Sequence, residues 1–557
     1  MRIWWKEAVV YQIYPRSFQD SNGDGIGDLQ GIIQRLDYIQ QLGVDAVWIC
    51  PMFKSPNDDN GYDISDYQDI MEDFGTMKDF DQLLEEVHKR GMKLIMDLVL
   101  NHTSDEHPWF IESRLSKDHP KRDWYIWRNG KNGREPNNWE SIFGGSAWEF
   151  DEKTEQYYLH IFSVKQPDLN WENGEVREAL YEIVNWWIQK GIDGFRIDAI
   201  SHIKKRAGLP NLPNPKKLKY VPSFPMHLNQ KGIHPFLKEF KERTYGNSDV
   251  MTVGEANGVT VKDAGLWVGQ KQGVMDMIFQ FEHLGLWDPE DLDAELDIIE
   301  LKKVLTKWQK GLETEGWNAL FIENHDKPRV VSTWGEDGKY WRESATAFGA
   351  MYFFMKGTPF IFQGQEIGMT NVSFTSIDDY DDVATKNLYK KKQSEGLKNQ
   401  EIMKIIWASS RDNSRTPMQW SAEEYAGFST APPWIKANPN YKELNVEAQL
   451  RNEGSVLSFY RKMIHLKKQH EVFSYGQYDL ILEENKQVFA YTRAFKDKKV
   501  VVLTNLSDQH AEFQLNEWGL SSDQLLLNNY SVEKHRLQSM FSFKPYEARV
   551  YMCPPVK

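Results

Sequence analysis

Over most of its length the chain repeats one unit: an amphipathic helix, a glycine, then a short apolar strand ending in polar residues. Leu29, Ile32, Ile33, Leu36 and Ile39 form one helical face, followed by Gly43 and an apolar run over 45–51. Phe80, Leu83, Leu84 and Val87 fall at i, i+3, i+4 and i+7, ahead of Gly91 and the run 93–102. Val176, Leu180, Ile183, Val184 and Trp187 precede Gly191 and a strand ending at Asp198. Gly316 and Gly357 introduce the later runs 317–322 and 358–362. A helical stripe, a glycine cap and a short apolar run are the marks of a βα unit. The strands are apolar nearly throughout, as parallel strands covered on both faces must be. The candidate strands are 9–18, 45–51, 93–102, 194–200, 251–256, 275–281, 318–325 and 358–362. Such a set predicts a closed (β/α)8 TIM barrel. An open Rossmann-like sheet is the alternative, and the lack of G-x-G-x-x-G after an early strand counts against it.

Three stretches break the pattern. Residues 103–172 are a polar, Trp- and Gly-rich insertion after the third strand, and 365 to about 450 are another after the eighth. Both are too long for ordinary loops and should carry structure of their own. From 475 to 557 the text turns to short alternating strands such as 488–492, 499–503 and 548–551, which predicts an antiparallel β-sandwich. The barrel is thus assigned to 1–102 and 173–474.

A net charge of −14 argues against nucleic acid and anionic membrane as partners. Cys50 and Cys553 offer neither a disulfide framework nor metal-thiolate spacing, which fits a reducing compartment. The N-terminal residues lack the apolar run of a signal peptide, and no stretch suits a bilayer span. The expectation is a cytoplasmic protein, monomeric or weakly dimeric.

In a TIM barrel, chemistry sits at the C-terminal ends of the strands. Here those ends carry Asp97, Asn101 and His102; Arg196 and Asp198; Glu255; and Asn324, His325 and Asp326. Arg196 and Asp198 are two apart on a strand and should face the same way. A fixed cation favours an ionised carboxylate, as a nucleophile requires. Glu255 has no cation beside it in sequence and suits an acid that must hold its proton. Two such carboxyls can break a glycosidic bond. Asp326 is then a third acid for the developing positive charge.

Asp97-Leu98-Val99-Leu100-Asn101-His102, Gly194-Phe195-Arg196-Ile197-Asp198, Val253-Gly254-Glu255 and Glu323-Asn324-His325-Asp326 resemble the four signature regions of the α-amylase family of glycoside hydrolases. Gln166-Pro167-Asp168-Leu169-Asn170 resembles the further motif of its oligo-1,6-glucosidase and α-glucosidase branch. The resemblance implies a retaining double displacement with Asp198 as nucleophile, Glu255 as acid/base and Asp326 as transition-state stabiliser. It also implies a glucose pocket lined by Asp59, Tyr62, His102, Phe162, Gln166, Arg196, His325 and Arg411; Arg411 opens Arg411-Asp412-Asn413-Ser414-Arg415-Thr416-Pro417, in which Arg415 is the alternative arginine, otherwise structural. The substrates implied are short oligosaccharides cut from the non-reducing end, with transglucosylation as a companion reaction and no organic cofactor. In relatives of this branch, Val directly after the nucleophile accompanies α-1,6 activity, while Ala or Thr accompanies α-1,4 activity. Ala199 therefore points to an α-1,4 preference. Alternatives are an oligo-1,6-glucosidase and a trehalose-6-phosphate hydrolase, whose phosphate site Lys204, Lys205, Arg206, Lys216, Lys217 and Lys219 would supply. A sucrose isomerase would carry an Arg-rich loop before the seventh strand, whereas residues 282–288 contain no arginine. A non-catalytic interaction protein of the same fold would have lost the acids that this chain keeps.

Asp20-Ser21-Asn22-Gly23-Asp24-Gly25 reads as the first half of an EF-hand loop, but the twelfth position is Gly31, not Glu. A hydrogen-bonded Asx turn is the alternative. The resemblance implies one structural Ca²⁺ (or Mg²⁺) held by Asp20, Asn22, Asp24, Asp28 and the Ile26 carbonyl.

Overall fold

The computed structural model describes residues 3–288, 291, 295–515, 520–533 and 539–553. Parallel strands β1 (Val10–Ile13), β2 (Ala46–Ile49), β3 (Lys93–Val99), β4 (Gly194–Asp198), β5 (Met251–Glu255), β6 (Met277–Phe279), β7 (Ala319–Leu320) and β8 (Thr358–Phe362) form one 8-stranded sheet. Neighbours run in chain order from β1 to β6, while β8 pairs with both β1 and β7. A parallel bridge between Ile278 and Asn318 joins β6 to the residue before β7 and completes the ring. Several strands are shorter than their apolar runs. β1 stops at Ile13 because Pro15 opens a 3-10 turn, and β7 stops at Leu320 while 321–325 continue toward the barrel mouth.

The helices follow from their sequence stripes. Helix α1 (Leu29–Leu42) is capped by the Asp28 carboxylate, which accepts from the Gly31 amide, and ends at Gly43 with φ 98°. Helix α2 (Met77–Lys89) starts with a Thr76/Asp79 capping box, and α3 (Gly174–Lys190) ends at Gly191 with φ 102°. Only glycine takes that left-handed turn without a Cβ penalty, which lets the chain reverse at once into the next strand. Strand residues alternate between this helical layer and the barrel interior. Val10, Trp48, Ile95, Val253, Phe279, Phe321 and Phe360 fill the interior as one buried cluster. The barrel is a packed core with an aromatic floor, so chemistry is confined to its upper rim.

The insertion after β3 contains a small antiparallel sheet of Trp127–Arg128, Gln156–Leu159 and Trp148–Asp151. After β8, Val383–Ser394 and Asn399–Ser409 form two packed helices. The C-terminal strands are Gln477–Ile481, Val488–Phe495, Lys498–Asn505, Ala511–Gln514, Leu525–Asn528, Met540–Phe543 and Ala548–Met552. They make an antiparallel 5-stranded sheet and a separate pair, with Val488, Leu503, Phe513, Phe541 and Phe543 buried in one cluster. This is the expected antiparallel β domain.

Candidate active site

Strand register assembles the site. Asp97 and Arg196 are direct partners across β3 and β4. Arg196 is level with Val253 on β5, so Glu255, two residues on, points to the same side. The Arg196 side chain is 2% exposed. Its Nη1 donates to Asp97 Oδ1 at 2.9 Å and to Asp198 Oδ1 at 2.7 Å, and its Nη2 donates to Glu255 Oε2 at 2.7 Å. One guanidinium thus holds two carboxyls on neighbouring nitrogens, with Asp97 bracing it from behind. The Trp48 ring lies beneath the guanidinium, its centroid 5.3 Å away.

The strand ends at Asp198 because Ala199 turns into the left-handed region, with φ 45° and ψ 27°. That conformation is uncommon for a residue with a Cβ. It aims the Ala199 amide at Glu255 Oε2, to which it donates at 3.0 Å.

Two sequence expectations are corrected here. Glu255 does have a cation beside it, because the fold brings Arg196 across from the neighbouring strand. Nor does Arg196 hold Asp198 at low pKa. Burial pushes the Asp198 carboxyl well above the usual range, and repulsion from Glu255 and Asp97 adds to this against the pull of Arg196. A single guanidinium shared by several buried acids cannot offset the desolvation of each. In the free site the Asp198 carboxyl is therefore harder to ionise than an ordinary aspartate, despite its bond to Arg196.

Asp326 has the opposite surroundings. Burial alone would raise its pKa, but His325, Arg411 and Arg415 outweigh it and hold the carboxyl well below the ordinary range. His325 is itself pushed up to about 10: burial opposes its charge, and Asp326, 3.2 Å away, more than compensates. Arg415 Nη2 reaches Asp326 at 2.7 Å and its Nε donates to the His325 carbonyl, so this arginine also belongs to the site.

The far end is closed by polar side chains. Arg411 bonds Asp326 at 3.2 Å, Asp59 at 2.9 Å and Asp382 at 2.5 Å. Gln166 donates to Asp59 and lies 3.2 Å from His102 Nε2. The Phe162 ring packs 5.1 Å from His102. Tyr62 stacks on His325, and its hydroxyl donates to Asp97 at 2.9 Å. Burial lowers His102 to about 4, so it stays neutral. All the residues expected to line the pocket meet in this one place. Asp382 was not foreseen; it comes from the insertion after β8, and nothing in the acidic run 378–382 distinguishes it from a solvated surface.

Of the basic residues that would serve a phosphate, the two nearest the strand end in sequence are engaged. Lys205 is buried against Asp168 at 2.5 Å and Asn101 at 2.8 Å, pinning the Gln166–Asn170 motif to the barrel. Lys204 pairs with Glu172. Lys216 and Lys217 are exposed.

The Asp20–Asp28 loop satisfies itself. Asp20 accepts from the amides of Asn22, Gly23 and Gly25 and from the Ser429 hydroxyl. Asp24 accepts from Ile26 and Asn22, and Asp28 caps α1. Among the described residues no three His, Cys, Asp or Glu side chains group as a metal would need. Four donors already occupy Asp20, so the loop as it stands fits the Asx turn better than a cation cage.

Among the described residues no helix is long and apolar enough to cross a membrane. Both cysteines are free.

The comparisons with known proteins agree on the architecture. The α-amylase catalytic domain matches residues 12–476, and the maltogenic amylase C-terminal domain matches 478–550. The chain is 60% identical over 551 residues to the probable oligo-1,6-glucosidase 3 of Bacillus subtilis (strain 168), covering 99% of each. It is 53% identical over 559 residues to the oligo-1,6-glucosidase of Parageobacillus thermoglucosidasius, again covering 99% of each. The crystal structure of Bacillus licheniformis trehalose-6-phosphate hydrolase superposes with a TM-score of 0.92 at 44% identity, over 99% of this chain and 100% of that one.

Proposed function

The chain belongs to the α-amylase family of glycoside hydrolases, and from that premise we propose a retaining, exo-acting glucosidase that releases α-glucose from short α-glucosides. The observation that carries this reading is the Arg196 fork. Two carboxyls on the two Nη atoms of one guanidinium stand close together, and retaining enzymes need a separation of about 5–5.5 Å. Glu255 gives its proton to the glycosidic oxygen while Asp198 attacks the anomeric carbon. Burial disfavours the ionised Asp198 in the free site, and positive charge growing at the anomeric carbon stabilises that ionised form as the bond breaks. Glu255 then takes a proton from the incoming water, or from a sugar hydroxyl in transglucosylation, and the glycosyl–Asp198 ester breaks. Asp326, held ionised by His325 and two arginines, faces the oxocarbenium-like charge. Asp59, Arg411, Gln166 and His102 close the pocket at one end, which favours removal of a terminal glucose. The same residues can read its hydroxyls through bidentate contacts.

On linkage, the oligo-1,6-glucosidases at 60% and 53% identity favour α-1,6 over the α-1,4 preference expected from Ala199. We take α-1,6 as the principal activity. The α-1,4 reading rests on Ala199, which is 3% exposed beside the reacting pair. Hydrolysis of trehalose-6-phosphate is less well supported, because Lys204 and Lys205 already pair with acids. Substrates are small oligosaccharides met in the cytoplasm by a monomer or weak dimer. A structural Ca²⁺ or Mg²⁺ at 20–28 is carried by the resemblance alone.

The test is kcat/KM on isomaltose, maltose and trehalose-6-phosphate. A site contact of this size discriminates by about 1–3 kcal/mol, so isomaltose should lead maltose by roughly tens of fold. A lead for maltose would return the reading to α-1,4, and a lead for trehalose-6-phosphate would replace both.

A further inference from the structure

We propose that Lys327 is a specificity-determining residue that donates hydrogen bonds to the hydroxyls of the departing sugar; the inference rests on the glucosidase reading above. The site opens on one side only. Side-chain exposure is 1% at Asp382 and 6% at Asp59, then 19% at Glu255 and 29% at Asp326. The leaving group must therefore lie on the Glu255 and Asp326 side. There a cavity of about 140 Å³ is lined by Asp326 and Lys327 together with Leu284, Trp287, Thr333 and Trp334. Lys327 directly follows Asp326, and its ammonium interacts with both Asp326 and Glu255. Its Nζ makes no hydrogen bond or ion pair among the described residues, whereas the arginines nearby are bonded to acids.

Nearby carboxylates balance the charge of this half-buried side chain, but its three N–H donors are left without direct acceptors. Water meets that need in the free protein, and a substrate brings hydroxyl oxygens. The half-buried Trp287 beside it offers an apolar face for a sugar ring, and the Thr333 hydroxyl offers a second polar contact. The chemistry suits a neutral polyol better than a phosphate, because the carboxylates facing Lys327 already balance its charge.

The experiment measures binding by calorimetry in Asp198→Asn protein, comparing isomaltose with methyl α-glucoside, whose leaving group carries no hydroxyl. Adding Lys327→Met should weaken isomaltose at least ten-fold more than methyl α-glucoside, and Lys327→Arg should recover part of that difference. Equal losses on both sugars, or none on either, would overturn the role of Lys327. The glucosidase reading is tested apart from this, by turnover of α-glucosyl fluoride in the parent protein. Turnover with an unchanged affinity ratio removes Lys327 alone, and failure of both sugars to bind removes the two proposals together.

Discussion

Arg196→Gln is the sharpest test of how the site sets its protonation. The guanidinium contacts three acids at 2.7–2.9 Å and is 2% exposed, so water cannot replace it. An opposite charge at this range lowers a carboxyl pKa by about 1–3 units. Its loss should raise the Asp198 carboxyl further, by that order of magnitude. Attack by Asp198 needs it ionised, so the acid limb of kcat/KM should move to higher pH by about 1–3 units. On the acid side, activity at a fixed pH then falls by about ten-fold per unit. Leaving buried acids unpaired also costs about 3–5 kcal/mol of stability. The sign follows from linkage: an acid whose folded pKa lies above its unfolded value contributes stability below the unfolded value and loses it as pH rises through the folded one. The variant's melting temperature should therefore fall more steeply than the parent's as pH rises above the ordinary carboxylate range. Arg196→Lys keeps a charge but lacks the fork, and should shift the limb by less than about one unit. The assay is kcat/KM on 4-nitrophenyl α-glucoside across pH, with melting followed by circular dichroism. A folded Gln variant with an unmoved acid limb would refute the argument that Arg196 governs the ionisation of Asp198.

Asp198→Asn should fold and lose turnover, since an amide is a poor nucleophile; near-normal rates on an aryl α-glucoside would remove Asp198 from that role. In the parent, NMR should show the α-anomer released first, and initial β-glucose would exclude the double displacement. Glu255→Gln should harm disaccharides more than activated aryl glucosides, which need little protonation, with azide partly rescuing a variant slow in deglycosylation; equal losses in the glycosylation step would count against the acid role. If the proposed cation occupies residues 20–28, chelation should lower the melting temperature before it lowers activity, and Ca²⁺ should restore it. An unchanged melting curve would leave the loop as the hydrogen-bonded turn described above.

What the sequence made legible was everything written in local periodicity. The stripe at 80–87, the cap at Gly191 and the apolar runs state where a helix stops and a parallel strand begins. A barrel then forces the ends of those strands to one rim, so Asp198, Glu255 and Asp326 could be gathered without knowing their distances. What stayed hidden depends on contacts between elements. The Arg196–Glu255 bond needs the register of β4 against β5, and no spacing along either strand encodes it. Asp382 reaches Arg411 from an insertion whose path follows from no repeat. The pKa of Asp198 turns on how many buried acids share one guanidinium, a quantity invisible in the dipeptide spacing that suggested a simple ion pair. The left-handed turn at Ala199 shows the same limit in the backbone. Residue type favours an ordinary strand end there, yet the turn is what points an amide at Glu255. In this chain's backbone a valine there would be a β-branched side chain at positive φ, so relatives that carry Val must bear that strain or turn differently. In this chain the identity of residue 199 is therefore tied to the placement of the Glu255 carboxyl, and linkage preference does not follow from its size alone.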